Sequence, residues 1–258
     1  MPPSSGDVSV KAPLQRRSRE RPPEIKARPL DERGKIPAPI TNLLTRSQQA
    51  KIRLISTILE YQRGSITIFS EGEDAHFVYF VNAGVVRISR CAAGGRRQVM
   101  AFMMPGDLFG LPDSGIYLNS AVTVCPSTVY RIPWQQLRAL LLKEPELQLN
   151  LLVKVAFDFR QAQRQILMLG QQNITQRLAS LLMDFIQHPE FYDPEKRILS
   201  FPISRPDVGD YLGSAPETVA RAFARLESLG LIKRISSRLI EIGNPQALRG
   251  VLTGRRRS

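Results

Sequence analysis

The stretch ISRPDVGDYLGSAPETVARAFARL, Ile203–Leu226, decides how this chain is read. Ser204 is of a type that caps helices, and Asp207 three positions on completes the pattern of a capping box. The first helix then runs through Val208, Tyr211 and Leu212. Gly213 permits a tight turn, because glycine enters left-handed backbone without steric cost. Ser214 opens a second helix, with Glu217 three residues on. Val219, Phe223 and Leu226 recur at helical spacing and form its apolar stripe. Two helices joined by a short glycine turn make a helix-turn-helix, whose second helix enters the DNA major groove.

The outward face of that second helix holds Glu217, Ala220, Arg221 and Arg225. An arginine donates two hydrogen bonds to guanine O6 and N7, and a glutamate accepts from cytosine N4. Ala220 has the size to meet a thymine methyl. Glu217, Ala220 and Arg221 are therefore the candidate base readers. Glu217 and Arg221, one turn apart, can instead pair with each other, and the two roles are compatible. Downstream, Leu231–Ile235 and Leu239–Ile242 read as two short strands around Ser236-Ser237, a hairpin wing. Lys233, Arg234 and Arg238 stand on it where phosphate contacts are useful. Ser204, Ser214, Thr218 and Arg225 complete the candidates for backbone or outer contacts.

Upstream, Leu152, Val155, Phe159, Ala162, Ile166 and Leu169 advance by three or four residues. This is either the seam of a two-stranded coiled coil or the inner face of an ordinary amphipathic helix. Its place between a β region and a DNA-reading region favours the seam, hence a homodimer. Lys154, Asp158, Arg160, Gln161, Gln163 and Arg164 are expected on the remaining polar faces, and Gly170 marks a hinge. Residues 175–187 form a further helix with Leu178, Leu181, Leu182 and Phe185 on one face.

Before that lies a run of short β-branched or aromatic segments: Ile66–Phe69, Phe77–Val81, Val85–Ser89, Gln98–Phe102, Ser120–Val124 and Thr128–Ile132. Glycine-bearing turns separate them, which implies a sandwich or jelly roll. Residues 46–61 read as one helix, carried by Ile52, Leu54, Ile55, Ile58 and Leu59. The expected organisation is a basic tail over 1–44, proline-rich and disordered, a jelly-roll β domain over 45–144 and a dimerisation helix over 145–170. A winged helix-turn-helix over 171–250 and a basic tail over 251–258 follow. The fold class is α+β.

Composition narrows the function. The net charge of +13 suits an anionic partner. It is spread along the chain, but between Arg221 and Arg238 five basic residues face one acidic residue, a local concentration. Arg255–Arg257 either adds salt-dependent affinity for DNA or is a solvated tail. No apolar run reaches the roughly 20 residues that span a bilayer, and the N-terminus has no signal-peptide core, so a cytoplasmic protein is expected. Cys91 and Cys125 are far apart, and both are expected to pack as small apolar residues rather than pair. Two histidines and no phosphate loop leave no catalytic constellation, so no enzyme is expected, and no metal site.

Taken together, Asp207–Arg225 and the wing resemble the DNA-binding domain of the Crp/Fnr superfamily of transcription regulators. The β region resembles that family's sensor domain through Glu71-Gly72-Glu73, Val78–Val81, Gly84-Val85-Val86-Arg87, Gly95-Arg96-Arg97-Gln98 and Pro105-Gly106-Asp107-Leu108-Phe109-Gly110. The resemblance, over residues 45–250, implies a dimeric regulator of transcription, by family default an activator whose sensor loops touch RNA polymerase. The glutamate and arginine that hold a cyclic nucleotide in that family are replaced, by Leu111 and at Asn119, so no cyclic nucleotide is expected. No cysteine cluster precedes the β region, so no iron–sulfur centre is implied. What remains is similar to the FixK-like branch, with no cofactor. The family's Glu-x-x-Ser-Arg reading pattern falls on Glu217, Ala220 and Arg221, with alanine in place of serine, and implies a palindromic TTGA-type site. A haem- or small-ligand-dependent sensor on the same fold is the rival reading. It draws a haem ligand from His76, His188, Cys91, Cys125 or a methionine.

Overall fold

A computed structural model describes residues 45–91, 94–112 and 114–252, together with two short strands, β1 (Lys26–Ala27) and β2 (Thr41–Asn42). β1 and β2 pair antiparallel, a local ladder inside the stretch expected to be a disordered tail. The rest of residues 1–44, and Arg255–Arg257 at the other end, lie outside the described residues.

The β region contains β3 (Thr57–Tyr61), β4 (Thr67–Phe69), β5 (Phe77–Ala83), β6 (Val86–Cys91), β7 (Arg97–Met103), β8 (Leu108–Phe109), β9 (Ser120–Thr123) and β10 (Ser127–Pro133). They form two four-stranded antiparallel sheets, in the orders β3-β10-β5-β8 and β4-β9-β6-β7. Strand β5 shows why its sequence is apolar throughout. Tyr79 and Val81 pack between the sheets with Phe69, Ile88, Phe109 and Tyr117. Val78 and Phe80, on the opposite face, pack with Leu137, Leu147 and Leu151 of the flanking helices. A strand buried on both faces carries no polar alternation. Between the sheets Phe69 stacks on Tyr117 at 3.7 Å, and Tyr79 on Phe109 at 5.2 Å. The Tyr117 hydroxyl donates to the Phe77 carbonyl at 2.9 Å and accepts from Phe77 N at 3.2 Å.

Two expectations change here. Helix α1 (Arg46–Leu54) begins in a capping box of Thr45 and Gln48 but ends at Leu54, and residues 57–61 form β3 instead of its continuation. Ile58 lies opposite Tyr130 and Leu59 opposite Val129 on β10. An Ile-Leu run satisfies either period, and with β-branched Thr57 beside an open sheet edge the extended form wins. Cys91 is exposed rather than packed, at the end of β6, while Cys125 is half-buried and burial raises its thiol pKa.

Helices α2 (Trp134–Lys143) and α3 (Pro145–Gln171) follow, with Pro145 in the first turn of α3. Leu147 and Leu151 fasten the start of α3 to the β region, and Met168 fastens its end to the next unit. Lys154, expected on a solvated face, is 1% exposed. Its ammonium group lies 3.4 Å from Asp107, in the β7–β8 turn, and donates to Asp158 one helical turn on. Burial opposes its charge, but the two carboxylates outweigh that and the net pKa shift is upward. Gly170 stays helical within α3 rather than forming a break.

The last unit comprises α4 (Ile174–Ile186), β11 (Tyr192–Asp193), β12 (Ile198–Ser200), α5 (Arg205–Leu212), α6 (Pro216–Ser228), β13 (Ile232–Arg234), β14 (Leu239–Ile242) and α7 (Pro245–Leu252). Asn173 caps α4 in a reciprocal bond pair with Gln176. Strands β11 and β12 extend the wing into a four-stranded sheet ordered β11-β12-β14-β13. Val251 and Leu252, expected to open a basic tail, instead close α7 and pack on the core of this unit. That core also takes in Val85, Val99, Phe102 and Met104 of the β region. Among the described residues no helix is long and apolar enough to cross a membrane.

Candidate nucleic-acid interface

Helix α5 starts at Ser204, whose Oγ accepts from Asp207 N at 3.2 Å. The box is not reciprocal: Asp207 Oδ2 accepts from the Ser204 hydroxyl at 2.8 Å, not from the cap's backbone. Gly213 closes the helix in left-handed backbone at φ 64°. A Cβ at Gly209 would lie 2.6 Å from the Ser214 carbonyl oxygen, so α5 closes on the turn that leads into the second helix at a position that only glycine fits. Ser214 stands one residue ahead of the second cap. Helix α6 starts from extended Ala215 with Pro216 in its first turn and no side-chain cap. Pro216 explains this, since proline supplies a helical φ and needs no partner for an N–H.

Helix α6 buries Val219, Ala222, Phe223 and Leu226, the i, i+3, i+4, i+7 stripe. Glu217, Ala220, Arg221 and Arg225 are exposed on the other side and Thr218 is half-buried. Arg221 Nη2 donates to Thr218 Oγ1 at 3.1 Å, which aligns the guanidinium along the helix rather than toward Glu217. Glu217 in the first turn and Arg225 in the last both complement the helix dipole.

The wing arginines differ in freedom. Arg234 is bound by Glu227 of α6, through its backbone N at 3.0 Å and its Nη2 at 2.5 Å. That hydrogen bond holds the Glu227 carboxyl below the usual carboxylate range and raises Arg234. Lys233 lies opposite Glu241 across the hairpin, 3.9 Å away. Arg238 is exposed at the tip, where Ser236 Oγ accepts from the backbone N of Arg238 and of Leu239. A residue that pattern reading missed is Arg205. Its guanidinium lies 3.4 Å from the centroid of the Phe223 ring, a cation–π stack under the recognition helix. Burial, and then neighbouring Arg234, lower its pKa. Arg205, Arg234 and Arg238 line a recess of about 650 Å³ with Ser204, Ser236 and Glu227, three cations to one carboxylate. The only available signal for Arg205 was its place beside a helix cap.

The α3 stripe is divided. Leu152 is 63% exposed, Phe159 62% and Ile166 69%, with Val155 and Ala162 also exposed. Leu169 is half-buried against the winged unit. Leu149, Val153 and Leu167 widen the exposed apolar surface beyond the residues expected.

Comparison with known proteins accords with this geometry. The cyclic nucleotide-binding domain family matches residues 58–144, and the Crp-like helix-turn-helix domain family matches residues 176–251. The chain belongs to the Crp/Fnr family and is a DNA-binding regulator of transcription, not an enzyme. It is 34% identical over 183 residues to the nitrogen fixation regulation protein FixK of Azorhizobium caulinodans, covering 70% of this chain and 74% of that one. The transcriptional activator protein FnrA of Stutzerimonas stutzeri is 29% identical over 65% of this chain and 69% of its own. The solved structure of FixK2 from Bradyrhizobium japonicum superposes with a TM-score of 0.70 at 30% identity, over 76% of this chain and 96% of that one.

Proposed function

We propose that this protein is a cytoplasmic transcription activator that binds a palindromic TTGA-type DNA site as a homodimer. The observation that carries the reading is helix α6, held by Val219, Ala222, Phe223 and Leu226 with Glu217, Ala220 and Arg221 turned outward. In this reading those three residues meet base edges, and Ser204, Ser214, Thr218, Arg225, Lys233, Arg234 and Arg238 face the backbone or outer bases. The working units are residues 45–144, a dimerisation helix over 145–170 and the reader over 171–250. The exposed stripe Leu152, Val155, Phe159, Ala162 and Ile166 supports the two-fold axis. Sensor loops are the surface offered to RNA polymerase.

No cyclic nucleotide is required. The stacked Phe69, Tyr117, Tyr79 and Phe109 pack together in the apolar core between the sheets. Leu111 and Asn119 supply no charge for a ribose or a phosphate, and a buried phosphate without a cation is poorly compensated. The test is selection of bound duplexes from a random pool by protein purified without effectors, followed by titration with and without cyclic AMP. Recovery of a TTGA palindrome with cyclic AMP indifferent is the expected result. Recovery of no preferred sequence overturns it.

A second reading, a regulator that answers to haem or a small ligand, is favoured by one feature. A cavity of about 900 Å³ lies between β7, α3 and α4, lined by Met100, Met103, Met104, Met168, Tyr211 and His188. Of the proposed haem ligands, His188 and these methionines reach it, while His76 and Cys91 sit exposed elsewhere. A Soret band in the purified protein, or specific DNA binding only after a cell's small-molecule fraction is added, selects this reading.

A further inference from the structure

The β region holds the first helix of the reader through a network of charges. Arg97 donates from Nη2 to Asp207 Oδ1 at 2.7 Å and to Asp210 Oδ2 at 2.5 Å, and from Nε to Asp210 Oδ2 at 2.9 Å. Arg87 Nη1 donates to Asp207 Oδ1 at 2.5 Å, and Gln98 Nε2 to the Asp210 carbonyl at 2.5 Å. The Phe102 and Tyr211 rings lie 5.2 Å apart beside them. The Asp207 side chain is 10% exposed and that of Arg87 is 14% exposed, so water screens this pair little. Two guanidinium groups meet two carboxylates, and Ser204 takes the remaining Asp207 oxygen.

A second tie fixes the other end of α5. Arg177 of α4 donates to three carbonyls: Leu212 at 2.8 Å, Leu169 at 2.6 Å and Gln172 at 2.9 Å. It thereby joins the end of α5, the end of α3 and the α3–α4 connection. Helix α5 is gripped at its first turn by the β region and at its last by Arg177. Gly209 packs on the Ser214 carbonyl in the turn that leads into α6, and α6 packs directly against α5, so the orientation of α5 is passed to α6.

We propose that Arg87 and Arg97 are positioning residues for DNA recognition: from the β region, they set the orientation of α6 relative to α3. The inference rests on the proposed dimeric reading of a palindrome. There the two recognition helices must sit about 34 Å apart to enter successive grooves. Base contacts then decide which half-site is bound, and the arginine clamp decides which spacing between half-sites is accepted.

The test uses the full chain with Arg97→Glu, Asp210→Arg, the double exchange, and Arg97→Lys. Arg97 and Asp210 are the more exposed pair, and exchanging them leaves Arg87 on Asp207. Affinities are measured for the selected palindrome, for versions with the spacer changed by one base pair, and for an isolated half-site. Hydrogen exchange across Arg205–Leu212 is followed in the same proteins. Each single exchange should lower discrimination between spacings by about tenfold, within the range typical of coupled distant sites. It should leave half-site affinity within about twofold and speed exchange in α5. Arg97→Lys and the double exchange should restore both spacing discrimination and protection. Folded single variants that keep the parent's spacing discrimination, or a double exchange that fails to restore it, overturn the proposal. If the parent discriminates no spacing while α5 exchange responds as expected, the palindromic reading falls and takes the spacing role with it; the clamp remains as a contact only.

Discussion

Helices α3 and α6 are both amphipathic, and they use the same period for opposite ends. In α6 every large apolar residue of the stripe is buried beneath the helix, and what faces out is Glu217, Ala220, Arg221 and Arg225. In α3 one apolar face is buried, by Leu147, Leu151 and Met168, and a second apolar face stands exposed at Leu152, Phe159 and Ile166. The helix whose apolar surface is spent has only charge and hydrogen bonding to offer, which suits a polyanion. The helix with apolar surface left over suits a second copy of itself. The charged residues reverse in the same way: Arg221 is open on α6, while Lys154 is sealed inside the inner face of α3.

The sharpest way to break this contrast is on the outer face of α3. In the proposed homodimer, Phe159→Glu or Ile166→Glu removes apolar burial on both sides of the two-fold axis and sets like charges together. At about 1.5–3 kcal/mol per buried side chain, counted twice, dimer dissociation should rise by at least about 100-fold. Sedimentation should show monomers with unchanged secondary structure, and a variant that stays dimeric removes α3 from the interface. On the inner face, Lys154→Ala leaves Asp107 and Asp158 without their shared cation. The carboxylates left behind are partly exposed, Asp107 29% and Asp158 44%, so water screens them and the loss should be about 1–3 kcal/mol, visible as a lower urea midpoint.

Two changes on α6 should be of a different kind. Arg221→Ala should cost about 1–3 kcal/mol per half-site on the preferred duplex and little on random DNA. Competition titrations at two salt concentrations measure it, and unchanged preference removes Arg221 from the base readers. Glu227→Gln should have the least effect, a loss of at most about 1 kcal/mol for a partly exposed pair. Its folded-state carboxyl is depressed by Arg234, so its stabilising effect is present above the ordinary carboxylate pKa and lost as pH falls through the depressed value. Melting temperatures of parent and variant should therefore differ at pH 7 and converge in acid below the usual carboxylate range.

How far these features were legible follows from how local each one is. The α6 stripe, Gly213 and the wing hairpin announce themselves within a dozen residues. Strands β11 and β12, of two and three residues, and β8, inside a glycine turn, are too short to show a period. Residues 57–61 carry a pattern that either a helix or a strand satisfies, and β10 decided between them. At the candidate interface the outward face of α6 could be listed from spacing alone. The stacking of Arg205 on Phe223, and the capture of Arg234 by Glu227, depend on how α5 and the wing close over α6.

The order of a β region, a long helix and a winged reader is written into the chain, because hydrophobic period, glycine turns and helix caps act between residues a few positions apart. What the charged residues do depends on packing between distant segments. Asp207 has the spacing of a cap partner, yet its carboxylate is claimed by Arg87, 120 residues earlier, and by Arg97, 110 residues earlier. Lys154 has the spacing of a solvated lysine, yet it is buried against Asp107. A charge is worth little in water and much once water is excluded, and which charges lose their water is settled by packing between distant segments.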